Sequence, residues 1–127
     1  MAPKFRQFLT KNGTTVLLGK TAKNNEELIS QIESNEIVLH TQNPGSPFVN
    51  IKEKPQRGDI KEAAILCANY SQDWRDNKLD VIVHKFKGSD IYKEKGMKLG
   101  TFGIKKFKII NIQRKEIIKY FDEFGMN

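Results

Sequence analysis

The chain has 127 residues, 38% of them hydrophobic and 29% charged, with a net charge of +7 and a single cysteine. That length suits one domain, residues 1–127, built on one core of sheet and helices, and no apolar run approaches the ~18 residues that crossing a bilayer requires. Cys67 has no internal disulfide partner and residues 1–8 hold no apolar leader, so a cytoplasmic protein without a membrane partner is expected.

Residues 5–10 and 14–19 are two β-prone runs around Asn12-Gly13, a hairpin signal. Asn24 followed by Glu27 resembles a capping box, and Leu28, Ile29 and Ile32 share a helical face, which predicts a short amphipathic helix. Residues 36–41 and 48–52 are expected as strands on either side of Asn43-Pro44-Gly45-Ser46-Pro47. Proline presets φ there and glycine accepts positive φ, so the segment is a turn, with His40 and Ser46 at its mouth.

Asp59 can cap a second helix with Glu62 at the reciprocal position, and apolar spacing from Ile60 to Trp74 carries that helix to about Arg75. Residues 79–87 alternate, Val81, Val83, Lys85 and Lys87 pointing one way and Ile82, His84 and Phe86 the other. In residues 101–113 the parity slips at Lys105-Lys106, read as a β-bulge in one strand. Residues 115–124, with Gly125 as a stop, predict a terminal helix. Hairpin-like pairs separated by helices give an α+β fold: a largely antiparallel sheet with two to three helices packed on one face.

The charge is unevenly placed. Between residues 85 and 108 lie Lys85, Lys87, Lys93, Lys95, Lys98, Lys105, Lys106 and Lys108 against only Asp90 and Glu94, a net of +6 that nearly exhausts the total. Such a patch is the footprint of a polyanion-binding face or, equally, a solvated surface that confers solubility. Phe86, Tyr92, Phe102 and Phe107 are interleaved with the lysines; strand aromatics are core residues as a rule, which leaves Tyr92, in the loop, as the stacking candidate for unpaired bases. Lysine binds phosphate as a point charge, so backbone- and shape-led recognition is expected rather than base readout.

Catalytic alternatives are weaker. Cys67 falls among alanines on an apolar helical face, where a thiol is inert. His40 and His84 lack ligand spacing for a metal, and glycines 96, 100 and 103 form no nucleotide-binding loop, so no cofactor is expected.

The order of motifs resembles the NFACT-R domain, the RNA-binding module of NFACT proteins of ribosome-associated quality control. "GKTAKNNEEL" looks like that family's signature after the first hairpin, and "IVLHTQNPGSPFVNI" like its strand, histidine, Pro-Gly-Ser turn and strand. "EAAILCANYSQDWRD" is similar to its Ala-rich helix ending in Tyr-Ser, and "VIVHKFKGSDIYKEKGMKLGTFGI" to its strand, lysine loop and final strand. The likeness spans residues 5 to 113 and leaves the terminal helix, 113–127, outside. Leu39 stands where the family has an aromatic, Pro47 where it often has a second histidine, and Lys20 and Thr21 where it has arginine and asparagine.

The resemblance implies a stand-alone, non-catalytic RNA-binding protein for structured RNA, tRNA or rRNA, with the large ribosomal subunit as a possible setting and DNA as a rival ligand. It places His40, Pro44, Gly45 and Ser46 in a nucleic-acid-facing turn, with Lys93, Lys95 and Lys98 near it and Lys85, Lys87, Lys105, Lys106 and Lys108 completing the electrostatic face beside Tyr92. An exposed hydroxyl and backbone N–H at Pro44-Gly45-Ser46 would bind phosphate without side-chain charge. His40 has two open roles, contacting ligand or holding the turn. Two rivals remain: a DNA-binding module, and a protein-interaction domain of a ribosome-associated complex.

Overall fold

The computed structural model describes residues 4–123, so Phe124 and the Gly125 stop lie outside the described residues. Six strands form one antiparallel sheet in the order β1-β2-β4-β3-β5-β8, from β1 (Arg6–Leu9), β2 (Thr15–Leu18), β3 (Ile37–Thr41), β4 (Val49–Ile51), β5 (Val81–Lys87) and β8 (Lys108–Ile112). A two-stranded hairpin, β6 (Ile91–Tyr92) with β7 (Gly103–Ile104), is separate from it. The helices are α1 (Ala22–Ser30), α2 (Asp59–Asn69), α3 (Gln72–Asn77) and α4 (Arg114–Glu123). The architecture is α+β, as the sequence predicts.

Strand alternation sorts the sheet into two apolar faces. Val16, Leu18, Leu39, Val49, Ile51, Val81, Val83 and Ile112 are buried against Ala63, Ala64, Cys67 and Ala68 of α2, Trp74 of α3, and Ile117 and Phe121 of α4. Alanines along α2 let its backbone lie close to the strands. On the opposite face Val38, Phe48 and Phe86 pack with Leu28 of α1 and with Ile91, Phe102 and Ile104 from the small hairpin. The helices therefore occupy both faces rather than one. Leu28 sits in a core of its own, to which Leu17 and Val38 contribute their side of the sheet.

Four local expectations change, the last at the start of α2. Thr21, not Asn24, caps α1: it is extended and its Oγ1 accepts the Asn24 N–H at 3.1 Å. The helix expected to run to Arg75 breaks at Tyr70-Ser71, because the Ser71 hydroxyl accepts the Trp74 N–H and starts α3. Nor is there a bulge at Lys105-Lys106. The parity slip marks the chain leaving the small hairpin at Ile104 and entering the main sheet at Lys108.

Asp59 and Glu62 do not form a reciprocal cap. The Asp59 carboxylate accepts from Thr14 Oγ1 at 2.6 Å, Gln56 N–H at 2.8 Å and Asn12 Nδ2 at 2.9 Å, while Glu62 accepts from the Lys11 N–H and the Tyr120 hydroxyl, both at 2.9 Å. The pair fastens the β1–β2 turn and α4 to α2.

Gly88 lets the chain turn from β5 toward the small hairpin. Its N–H donates to the Glu36 carbonyl at 3.0 Å, and a Cβ would overlap the Glu33 carbonyl oxygen and press on Ile32. Because the obstacle is backbone, Gly88→Ala is expected to lower unfolding free energy by about 1–3 kcal/mol, read from urea denaturation.

Candidate nucleic-acid interface

Segments distant in sequence meet on the α1 side of the sheet. The turn before α1, the β3–β4 connection, the corner between α2 and α3, and the strip Gly100-Thr101-Phe102 line a cavity of about 690 Å³, with Arg6 at its edge. Each wall has a physical cause. Gly45 adopts φ +87, and its carbonyl accepts the Gln72 N–H at 2.7 Å, which fixes the Pro-Gly turn to the start of α3. Asn25 Oδ1 accepts the Phe48 N–H at 3.1 Å, joining α1 to the far end of the same connection.

The lysine-rich loop is seated by Gly100. This residue adopts φ +79 against the start of α1, where an added Cβ would come within 2.8 Å of Ala22 Cα, and its N–H donates to Glu26 Oε2 at 2.7 Å. Lys93 closes the loop. Its ammonium bonds Glu26 Oε2 and the Lys98 and Thr101 carbonyls, all at 2.7 Å, and lies 4.6 Å from the Phe102 ring centre. Its donors are thus engaged. The Lys93 ammonium holds the Glu26 carboxyl below the usual carboxylate range, against the opposite pull of burial.

Among the described residues none lining the cavity is acidic, whereas Arg6, Lys20 and Arg75 bring positive charge. The Arg6 guanidinium lies 4.6 Å from the Tyr70 ring centre, and Arg75 Nε is 3.0 Å from Asp76 outside the cavity. The N-terminal end of α1 opens at Ala22 with no acidic residue in its first turn, so the partial positive charge there is not offset. Cations without carboxylates in a groove of this size suit an anion.

His40 and His84 are direct cross-strand partners on this face. His40 Nδ1 is 2.7 Å from the Thr41 carbonyl, and its ring packs on Phe48 with centroids 4.4 Å apart. His84 stacks on Phe107 at 3.8 Å. Burial pushes both imidazoles below the ordinary histidine range. Phe107, 46% exposed just before the edge strand β8, and Ile109, 60% exposed within it, extend this strip toward solvent.

Pro44 and Gly45 are exposed on the rim. Ser46 is buried rather than exposed: its hydroxyl accepts the Thr41 N–H at 3.1 Å and donates to the Pro47 carbonyl at 3.0 Å, so its hydrogen bonds serve the turn. The lysines do not share one surface. Register places Lys85 and Lys87 on the α2 side of the sheet, opposite Leu39 and Ile37, with Lys108 opposite Lys85. Lys95 and Lys98 are exposed on the loop seated against α1, and Lys105 and Lys106 are exposed in the passage from β7 to β8. Tyr92, 37% exposed, lies over Gly103, where an added Cβ would displace its ring, while Phe86 is buried and Phe102 half-buried.

Arg6, Tyr70, Gln72 and Arg75 are the lining residues that sequence reasoning missed. Counting charge by segment hid the arginines, because residues 1–84 nearly balance. The signal that could have found Gln72 and Arg75 is Ser71 as an N-cap with Asp73 in the following turn, which breaks the long helix and turns its second half toward the groove. Cys67 is buried, its thiol pushed by that burial up to about 12, and it stays protonated at neutral pH.

The fold is a two-faced α+β sheet with a groove whose described charged lining residues are cations. The chain belongs to the NFACT protein RNA binding domain family, which matches residues 4–106, and this gives it a nucleic-acid-binding role. A similar solved structure is the C-terminal part of the fibronectin/fibrinogen-binding protein from Streptococcus suis, 25% identical with a TM-score of 0.78 over 94% of this chain. The chain spans about half, 49%, of that structure's length. No curated protein matches the chain.

Proposed function

We propose that the protein is a non-catalytic RNA-binding protein that recognises structured RNA, tRNA or rRNA, and acts in the cytoplasm, with the large ribosomal subunit as its setting. The observation that carries this reading is the groove: segments within the family match converge on a cavity whose charged lining residues, among the described residues, are all cations. A phosphate would enter between Arg6, Lys20 and Arg75 toward the start of α1, beside the exposed Pro44-Gly45 backbone. Lys95 and Lys98, on the loop at the rim, and Lys105 and Lys106, beyond it, would extend the contacts along the backbone. Lys93 would act by holding that loop, and Ser46 by holding the turn. Lys85, Lys87 and Lys108, on the α2 side, would attract the polyanion at longer range.

Fluorescence anisotropy with a labelled tRNA tests this. About four to six phosphate contacts give a log–log salt slope of roughly −3 to −5. Lys95→Ala with Lys98→Ala, which spares Lys93, is expected to make that slope shallower by about 1–2. A DNA duplex that competes as well as unlabelled tRNA would replace RNA with DNA as the ligand. Absence of binding would favour a protein partner.

A further inference from the structure

We propose that His40 distinguishes RNA from DNA by accepting a hydrogen bond from a ribose 2′-hydroxyl through Nε2. The inference rests on the RNA-binding reading above and adds the chemical group that is read.

A carbonyl oxygen only accepts, so the 2.7 Å contact to Thr41 requires the proton of a neutral ring to sit on Nδ1. Nε2 then carries a lone pair. No described residue bonds it, yet every buried side-chain nitrogen or oxygen among the described residues has a partner, so Nε2 is not sealed in the interior, and the residue that carries it lines the groove. Burial favours the neutral ring further.

An acceptor in this position is out of keeping with its surroundings. Arg6, Lys20 and Arg75 all donate and attract phosphate, whereas a lone pair facing a phosphate oxygen repels it. The ligand group suited to Nε2 is a hydroxyl donor close to a phosphate. In RNA the 2′-hydroxyl is such a donor, and DNA lacks it. The ring is also fixed: Phe48 packs on one side, and Nδ1 is tied to the strand that carries it. Little rotamer freedom would be lost on binding.

The test uses one short stem-loop sequence as RNA, as its 2′-O-methyl form and as DNA. The methyl ether keeps the ribose oxygen and removes the donor while adding a methyl group, and comparing the RNA to 2′-O-methyl ratio of the wild type with that of His40→Phe separates the hydrogen bond from the added bulk. The wild-type protein is expected to bind RNA about five- to tenfold more tightly than the 2′-O-methyl form, the size of one hydrogen bond. His40→Phe retains an aromatic ring against Phe48 and is expected to bring that ratio close to one with the salt slope unchanged. Equal wild-type affinity for RNA and its 2′-O-methyl form overturns the inference while leaving RNA binding intact, even if His40→Phe does not fold. A His40→Phe protein that keeps the wild-type ratio also overturns it. If none of the three oligonucleotides binds, the RNA-binding reading fails, and the inference with it.

Discussion

Replacing Arg6, Lys20 and Arg75 together by alanine is expected to weaken tRNA binding by about a hundred- to thousandfold and to make the salt slope shallower by about 2–3. Charge-assisted contacts to phosphate contribute on the order of 1–1.5 kcal/mol each after the cost of desolvation, and three of them give that range. The three residues come from β1, the turn before α1, and α3, and they converge in a cavity that no described carboxylate lines. Anisotropy with the triple variant measures the loss. The control is Lys61→Ala, Lys115→Ala and Lys119→Ala, which removes the same charge from the shallow cleft between α2 and α4. It should leave affinity within about threefold, because surface charge away from the contact acts mainly through screened, long-range attraction. Equal losses in the two variants would mean that net charge, not the groove, binds the RNA.

The largest stability loss is expected at Asp59. Its side chain is fully buried and joins the β1–β2 turn to the start of α2 through Thr14, Asn12 and the Gln56 N–H. Burial alone would raise its pKa, but the hydrogen bonds from Thr14, Gln56, Asn12 and Thr10 prevail and hold it at about 2. Asp59→Ala leaves those donors without their acceptor, and a loss of about 3–4 kcal/mol in urea unfolding is expected.

The same carboxylate makes stability pH-dependent. In the unfolded chain it binds a proton near its ordinary value of 3.8, and in the fold only near 2. The unfolded state therefore holds more protons between those values, and stability rises with pH across them. Asp59's contribution is present above about pH 4 and is lost as pH falls toward 2. The wild type should lose stability over that interval more steeply than Asp59→Ala, and parallel acid-unfolding curves would contradict the assignment.

Alternation and turn chemistry made most of the fold legible. Val81, Val83 and Phe86 fall on the faces their parity assigns, and Pro44-Gly45 turns where proline and a positive-φ glycine demand it. What was not legible depends on long-range partners. One phase slip at Lys105-Lys106 is equally compatible with a bulge and with a change of sheet, and only the packing of Phe102 and Ile104 over Phe48 decides between them. The helix break at Ser71 was masked because Trp74 continues the apolar spacing of α2 even though it belongs to α3.

The site was legible in its motifs and less so in its chemistry. His40 and Pro44-Gly45 line the cavity, yet Arg6 and Arg75, isolated in balanced sequence, reach it only through tertiary folding. The reverse holds for the lysine cluster. Lys85 and Lys87, two apart on β5, share the α2 side of the sheet, away from the groove, so a run of charge in sequence need not be one patch in space. Lys93 is the sharpest case, a loop cation whose ammonium is held by Glu26 and two carbonyls.

The most direct measurement is an amide chemical-shift map of the isotopically labelled protein titrated with a short RNA stem-loop. The account predicts that shifts concentrate at Thr21 and Ala22, His40 to Gln42, Gly45, Gln72 and Gly100 to Phe102, the walls of the groove. Shifts concentrated instead on α2 and α4, or around Lys85, Lys87 and Lys108 with the groove unmoved, would contradict it.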